Sequence, residues 1–425
     1  MYHQYYSKEE QYLYINRVSI LEKLENCIRK TKMGANNKLA LLGTRRVGKT
    51  QSLFELIRRN APDDNIRFCY INLQNTVLMP ALFAKQYVAN ILYWILNDES
   101  IKLTDLENLT KIVPLSMRLN NQEIMDYLID FSDLYARNKT ANSEFLKYAF
   151  SFPQILQKNL GKSLIVIVDE FQDLLKLNQY KGVDDVLEIL KRKTIYHNNI
   201  LYIFAGSMVK IIEQITNSPK SALFNEVTNF YIDPFDESSV QEYMEKKGQC
   251  NNFSYSKNVN KRIFKLTLGH PFYVYLLSEL INQYHKIYNL VIDEDIVNRI
   301  FIKELINPTS IIYNQLNYLY EYSLGYAQGS NLLRAILKVL AESNNLRITD
   351  IAKVLYRERS EILIALQQLE KVDLVFSENK TYSIKDKVLR FWLKNYFNNM
   401  KVELELDSVV LSELVVEFMD YFLKC

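Results

Sequence analysis

Three short apolar runs in the first half of the chain have the length and composition of buried β-strands. They lie at residues 39–42, 164–168 and 200–205. The second run is rich in β-branched residues and is continuously apolar, which is typical of a parallel strand covered on both faces. Segment 51–57 follows the first run and shows the apolar spacing of an amphipathic helix. The pattern predicts an α/β core built on a parallel sheet.

The C-terminal third shows a different order, in which short helices precede a hairpin. Helical periodicity predicts three helices, at 331–343, 348–355 and 360–372. Ser360 is the predicted N-cap of the last one. Two strands should follow, at 374–376 and 381–384, around a tip at 378–380. Three helices followed by a β-hairpin make a winged helix.

The last segment, 401–425, has one apolar face that includes Val410, Leu414, Val415, Phe418 and Phe422. We expect an amphipathic helix docked on its own protein, with an oligomer contact or another protein partner as the alternative.

Composition limits the class of protein. A length of 425 residues with 48% hydrophobic and 24% charged residues is ordinary for a globular protein of two to four domains. The net charge of +3 does not by itself imply nucleic acid. Four widely spaced cysteines give neither a metal-ligand nor a disulfide pattern. No apolar run approaches the roughly 20 residues that span a bilayer, so we expect a cytoplasmic protein without a membrane partner.

A loop with the sequence G-T-R-R-V-G-K-T follows the first apolar run directly. It fits the phosphate-binding P-loop, in which glycines let the backbone approach phosphate and the next helix N-terminus cradles it. Lys49 would reach the β- and γ-phosphates, and Thr50 would bind Mg²⁺. The sequence therefore predicts a nucleoside triphosphate and Mg²⁺. The predicted nucleotide-binding residues of this loop are Gly43, Thr44, Arg45, Arg46, Val47, Gly48, Lys49, Thr50 and Gln51.

Two carboxylates, Asp169 and Glu170, close the second apolar run. Asp169 is placed to hold the Mg²⁺ water shell, and Glu170 to polarise the attacking water as the catalytic base. Ser207 follows the third run and is a second catalytic candidate, which would sense the γ-phosphate or position the water, with a plain strand-end turn as the alternative. The spacing from Lys49 to Asp169 is long for a minimal core, so 77–160 should hold extra helices as an insertion.

Four motifs, in this order, resemble the archaeal-type ATPase family, which belongs to the STAND group of AAA+-related P-loop NTPases. They are the arginine pair before Gly48-Lys49-Thr50, Asp169-Glu170-Phe171-Gln172, Ala205-Gly206-Ser207 and Gly269-His270-Pro271-Phe272-Tyr273. The likeness runs from about residue 12 to 400, apart from the insertion. It implies ATP or ADP as the nucleotide and a P-loop core followed by an all-α lid and a winged helix.

The resemblance also assigns residues near the base of the nucleotide. Asn16 and Arg17 lie in a segment that is similar to the family's base-contacting motif ahead of the P-loop. His270 and Pro271 would open the lid, with the proline near the adenine, and a helix-capping role in the core is the alternative for His270. The implied domains are a core at 1–235, a lid at 236–328, a winged helix at 329–400 and a tail helix at 401–425.

One position departs from the family pattern. Many members have an arginine in the segment that follows the third strand, here 200–205, and this arginine acts on the γ-phosphate. The matching stretch in this sequence, 218–226, ends in Glu226 instead. A missing arginine finger slows phosphoryl transfer by about 10³- to 10⁵-fold. We therefore expect slow turnover, with Arg45, Arg46 or Lys220 as alternative cations.

The winged helix gives a mixed indication of DNA binding. Segment 330–400 carries 12 basic and 8 acidic residues, but its third helix has no Lys or Arg between 361 and 370. Arg357, Arg359, Lys371 and Lys380 flank that helix and could grip a DNA backbone without reading sequence. A structural or regulatory role is favoured, and DNA contact stays the alternative.

These observations predict slow Mg²⁺-dependent ATP hydrolysis that acts as a nucleotide-controlled switch. A DNA-binding AAA+ ATPase of the replication-initiator or mobile-element type is the first alternative. A scaffold that binds nucleotide without hydrolysing it is the second.

Overall fold

The computed structural model describes residues 6–15, 17–137, 141–288, 291–327, 331–398 and 408–423. The chain divides into two compact units, Met1–Ile232 and Asp233–Cys425. Within the described ranges, no helix combines the length and the apolar character that crossing a bilayer requires.

A five-stranded parallel sheet forms the centre of the first unit. Its strands are β1 Asn37–Leu42, β2 Ile66–Asn72, β3 Ser163–Asp169, β4 Ile200–Gly206 and β5 Thr228–Tyr231. Their order across the sheet is β2-β3-β4-β1-β5, and every residue of β3 and β4 is buried. The three apolar runs therefore form β1, β3 and β4, whereas the sequence did not predict β2 and β5.

Helices surround this sheet. Those outside the insertion are α1 Lys8–Leu13, α2 Val18–Lys32, α3 Lys49–Asn60, α9 Val186–Thr194 and α10 Val209–Asn217. The insertion holds α4 Pro80–Leu96, α5 Leu103–Leu106, α6 Leu109–Ser116, α7 Gln122–Arg137 and α8 Asn142–Leu160. Helix α4 packs on both β2 and α8. Because α4 is apolar on most of its surface, it is buried on several faces, as a helix that lies between a sheet edge and other helices must be.

The second unit is mostly helical. Its first helices are α11 Glu237–Asn251, α12 Lys257–Thr267, α13 Pro271–Tyr288, α14 Glu294–Ile306 and α15 Ile311–Tyr326. The rest of the unit comprises α16 Asn331–Glu342, α17 Ile348–Leu355, α18 Arg359–Lys371, β6 Val375–Glu378, β7 Thr381–Ile384, α19 Lys387–Phe397 and α20 Ser408–Leu423. Strands β6 and β7 pair antiparallel around Asn379 and Lys380, which both have positive φ.

The prediction that Ser360 caps α18 is wrong. The helix begins one residue earlier, at Arg359, and its N-cap is Glu358, whose side chain makes no capping hydrogen bond. Ser360 therefore lies inside the first turn, where its own backbone is already helical and its hydroxyl is not in the capping position.

Helix α20 packs against α14 and its apolar side chains reach α19. Phe418 is fully buried, with its ring centroid 5.6 Å from Phe301 and 4.8 Å from Phe391. Lys394 of α19 also forms an ion pair with Glu417. Leu414, Val415 and Phe418 of the predicted apolar face are thus buried in their own unit, whereas Val410 is exposed and the Phe422 side chain lies outside the described residues.

Candidate active site

The P-loop connects β1 to α3, and its backbone explains both of its glycines. Gly48 has a φ of 101°, a left-handed conformation that favours glycine, and α3 begins at the next residue. At Gly43, a Cβ atom would lie 2.6 Å from the Ile232 carbonyl oxygen and 2.8 Å from Val47 Cγ1. Any side chain at position 43 would therefore push the loop away from Ile232, which directly follows β5, and from the buried Val47 of the loop itself.

Lys49 is held inside the loop by backbone carbonyls. Its Nζ donates to the Gly43 oxygen at 2.7 Å and to the Thr44 oxygen at 3.0 Å, and the residue is only 5% exposed. Burial lowers the pKa of Lys49, and the nearby Glu170 and Asp169 carboxylates oppose that shift. A buried ammonium whose partners are mainly neutral carbonyls is well suited to receive an anion.

Asp169, at the end of β3, accepts hydrogen bonds from two side chains on other elements. Its Oδ2 accepts from Thr50 Oγ1 at 2.8 Å and from Tyr70 OH at 2.8 Å, while Oδ1 accepts from the Glu170 backbone N–H at 3.0 Å. Burial and the charge of Glu170 raise the pKa of Asp169, whereas Lys49 and the two hydroxyl donors lower it. The structure thus brings the two predicted metal-binding residues, Thr50 and Asp169, into direct contact.

Glu170 and Ser207 are also in contact. Ser207 Oγ donates to Glu170 Oε2 at 2.7 Å, and Gln172 Nε2 donates to the same oxygen at 2.6 Å. Strand β4 lies between β1 and β3, and Leu42 pairs with Gly206, so Gly43 and Ser207 leave the sheet side by side. Glu170 is buried and has a φ of 54°, an unusual conformation for a residue other than glycine. Glu170 lies between β3 and the 3-10 helix that begins at Phe171, and its carboxylate faces Ser207.

Gly206 leaves room for this network. A Cβ atom there would lie 2.4 Å from Gln172 Oε1 and 2.1 Å from Ile212 Cδ1. Because Gln172 is fully buried, it has no alternative position that would keep its amide on Glu170. The glycine of the Ala205-Gly206-Ser207 motif is therefore required by close packing.

The arginines around the loop have different surroundings. Arg17 Nη2 donates to the Val47 carbonyl at 3.0 Å, which ties the segment ahead of α2 to the P-loop. Arg45 Nη2 donates to Gln74 Oε1 at 3.3 Å, and Arg46 is exposed with a φ of 61°. Asn16 lies outside the described residues. Gln51 is exposed in the first turn of α3.

His270 and Pro271 belong to the second unit. Pro271 is the first residue of α13, a position that suits proline because it lacks the N–H that a helix start leaves unused. The His270 backbone N–H donates to the Thr267 oxygen at 2.9 Å, and Gly269 has a φ of 69°. This turn is fixed against the same unit, because the Phe235 N–H donates to the Gly269 oxygen at 2.8 Å.

The prediction that Glu226 stands near the γ-phosphate is wrong. Glu226 precedes β5, and its carboxylate lies 3.9 Å from Lys38 Nζ and 3.6 Å from Lys191 Nζ. Lys38 is at the amino-terminal end of β1, whereas the P-loop follows the carboxyl-terminal end. Gly43 is five residue steps beyond Lys38 along the strand direction, about 17 Å at the usual rise. The expectation of slow turnover therefore loses the residue on which it depended.

We expect Glu226→Arg to leave ATP turnover within about twofold of wild type and to lower stability. The new guanidinium would stand beside two lysines, one of them with a side chain only 3% exposed. Loss of this partner and the added repulsion should reduce the free energy of unfolding by about 1–2 kcal/mol. Phosphate release and thermal unfolding measure the two effects, with Glu226→Gln as the uncharged control. A large rise in turnover would show that residue 226 acts on the nucleotide after all.

Sequence reasoning missed two residues of this site. Tyr70 was missed because β2 was not predicted, although residues 68–71 form an apolar run as long as the one at 39–42. Gln172 belongs to the Asp169-Glu170-Phe171-Gln172 motif, but the sequence assigned it no role. Its contact with Glu170 could not be predicted because it depends on the 3-10 helix Phe171–Gln179 that follows β3.

No protein-family model matches the chain, and no curated protein sequence matches it. Solved structures do. The Walker-type ATPase PABY2304 of Pyrococcus abyssi is 20% identical, with 90% of this chain and 96% of that chain covered and a TM-score of 0.56. The ORC2 protein of Aeropyrum pernix, solved as ADPNP-ADP complexes, is 12% identical, with 96% of this chain and 94% of that chain covered and a TM-score of 0.53.

At these identities the likeness concerns the fold. The chain has the α/β fold of the P-loop NTPases, with a parallel-sheet core, a helical insertion and helices that follow the core. This fold class is the one predicted from the sequence.

Proposed function

We propose that this protein binds ATP at the P-loop and hydrolyses it with the help of Mg²⁺. One observation carries the proposal: Lys49, the Thr50–Asp169 contact and the Ser207–Glu170 contact come together at the carboxyl edge of one parallel sheet. In open α/β sheets this edge is where ligands bind. Phosphoryl transfer to water requires a cation at the phosphates, oxygen ligands for the metal ion and a carboxylate base.

Lys49 supplies the contact with the phosphates. An ammonium group has three N–H donors, and two of them are used by the Gly43 and Thr44 carbonyls. The third is left for a phosphate oxygen. Burial opposes the charged form of Lys49, so an anionic phosphate beside it would be stabilised by a strong, poorly screened interaction.

Thr50 and Asp169 fit a magnesium ion. A hydroxyl and a carboxylate oxygen are the hard ligands that Mg²⁺ prefers, and one or two protein ligands suffice because waters and phosphates complete the shell. The 2.8 Å contact between Thr50 Oγ1 and Asp169 Oδ2 supports this assignment, because it brings the two oxygens side by side. When bound, the ion would neutralise charge on the β- and γ-phosphates.

Glu170 is the proposed base. Its Oε2 accepts from Ser207 and Gln172, while its Oε1 accepts no hydrogen bond from the part of the chain that is described. The carboxylate is therefore fixed by one oxygen, and the other is left to orient a water and take its proton. Ser207 has the additional role of holding this carboxylate beside the loop.

Equilibrium binding of nucleotide to the purified protein tests the proposal. We expect calorimetric titration with ATP and with ADP to give saturable binding at one site, strengthened by Mg²⁺. The absence of binding at millimolar ATP by a folded protein would refute it.

The proposal does not extend to DNA recognition. We propose that α16–α18 with β6 and β7 form a winged helix, because three helices and a hairpin follow in that order. The outer face of α18 exposes Glu361, Leu363 and Ile364, a mixture that suits protein contact better than phosphate. A regulatory role for this segment, controlled by the bound nucleotide, stays a prediction.

A further inference from the structure

Asp169 is held by a residue that lies outside all of the predicted motifs. Tyr70 OH donates to Asp169 Oδ2, the oxygen that Thr50 also reaches, at the same distance of 2.8 Å. Tyr70 lies on β2, where the register pairs Asn72 with Asp169. The acid at the end of β3 is therefore positioned from its neighbouring strand as well as from the P-loop helix.

The ring of Tyr70 is fixed on two sides. Its centroid lies 4.9 Å from that of Phe54 and 6.3 Å from that of Trp94, and all three residues are less than 9% exposed. Phe54 belongs to α3, the helix that begins at Lys49, and Trp94 belongs to α4, in the insertion. The hydroxyl of Tyr70 is thus placed by the contacts of its ring with the P-loop helix on one side and with α4 of the insertion on the other.

We propose that Tyr70 is a positioning residue for the metal site, and that α4 of the insertion sets its position through Trp94. The proposal rests on the proposed function, since it takes Asp169 as the acid beside Mg²⁺. A carboxylate beside a metal is oriented by outer hydrogen-bond donors, whose removal typically costs 10- to 100-fold in metal affinity. A phenol is protonated at neutral pH, and burial raises the pKa of Tyr70 further.

This assignment gives the insertion a task. Helix α4 packs on β2, the strand that contains Tyr70. Tyr70 in turn donates to Asp169, the carboxylate that also accepts from Thr50. A movement of α4 would shift the Tyr70 ring and loosen Asp169, because the ring is confined by Trp94 on that side. The position of α4 would in this way be linked to Mg²⁺ affinity.

Tyr70→Phe tests the hydroxyl, because it keeps the ring between Phe54 and Trp94 and removes only the donor. The probe is Mg²⁺, titrated in the presence of a fluorescent ADP analogue. Mg²⁺ should strengthen binding of the analogue, and the half-maximal Mg²⁺ concentration for this effect is the measured quantity. We expect it to be about tenfold or more higher in Tyr70→Phe than in the wild type. The affinity for the analogue in EDTA should stay within about twofold, since Lys49 is untouched.

Tyr127→Phe is the matched control. It removes a half-buried tyrosine hydroxyl that donates to the Tyr148 backbone carbonyl at 2.6 Å within the insertion, away from Asp169. The control should show wild-type Mg²⁺ dependence, and thermal unfolding of both variants shows whether a loss of stability is involved. Trp94→Phe is the second variant. It should lower the Mg²⁺ affinity less than Tyr70→Phe does, because the Tyr70 hydroxyl remains as a donor to Asp169.

The outcomes separate the two levels of the proposal. Wild-type Mg²⁺ dependence in folded Tyr70→Phe, or equal losses in Tyr70→Phe and Tyr127→Phe, would overturn the role of Tyr70. Unchanged Mg²⁺ dependence in Trp94→Phe would overturn the role of α4. Failure of the wild-type protein to bind the ADP analogue would instead refute the proposed function.

Discussion

Replacing Lys49 with alanine should reduce ATP affinity by about 10²-fold or more. The substitution removes a charged donor to the phosphates, and such a hydrogen bond is worth up to about 3 kcal/mol, or roughly two decades in a dissociation constant. The loss should be at the high end because Lys49 is buried and its interaction with phosphate is poorly screened. Calorimetric titration of ATP into wild-type and Lys49→Ala protein measures the effect.

Lys38→Ala is the matched control for this prediction. Lys38 is also a buried lysine of the same strand–loop segment, but it stands at the opposite end of β1 beside Glu226. Its removal should lower stability and leave ATP affinity within about twofold. ATP affinity that is unchanged in a folded Lys49→Ala protein would remove the basis for the P-loop assignment.

Glu170→Gln should retain ATP binding and lose turnover by about 10²- to 10⁴-fold, the usual contribution of a general base. The amide keeps the shape of the carboxylate and can still accept a hydrogen bond from Ser207. It cannot take a proton from water. Single-turnover hydrolysis of bound ATP separates the chemical step from binding.

Glu226→Gln is the control for the glutamate substitution, because Glu226 lies beside Lys38 at the amino-terminal end of β1, opposite to the P-loop. It should hydrolyse ATP at the wild-type rate. Wild-type turnover by Glu170→Gln would mean that another group activates the water, and the contact with Ser207 would then be only structural.

The sequence was most informative where one short segment determines its own geometry. The spacing of Gly43, Gly48 and Lys49 implies a loop and a helix start, and the structure has both. The apolar run that forms β3 likewise implied a strand covered on both faces, because no polar residue interrupts it. The fold class, the loop after β1 and the acids at the end of β3 could be predicted for this reason.

Contacts between distant segments could not be predicted in the same way. Strand β2 has only a short apolar run, at 68–71, which no recognisable motif follows, and β5 has only four residues in all. With β2 unrecognised, nothing in the sequence placed Tyr70 beside Asp169, which is 99 residues away. The error at Glu226 has the same origin: a short sequence match carried no information about which edge of the sheet the residue would reach.

Phosphate release from ATP by the wild-type protein, in Mg²⁺ and in EDTA, tests the central claim most directly. We predict release that requires Mg²⁺, is abolished in Lys49→Ala and is strongly reduced in Glu170→Gln while that variant still binds ATP. Binding of ATP without any release would contradict the claim of hydrolysis and favour a nucleotide-bound scaffold. Release that persists in Lys49→Ala would contradict the assignment of this site altogether.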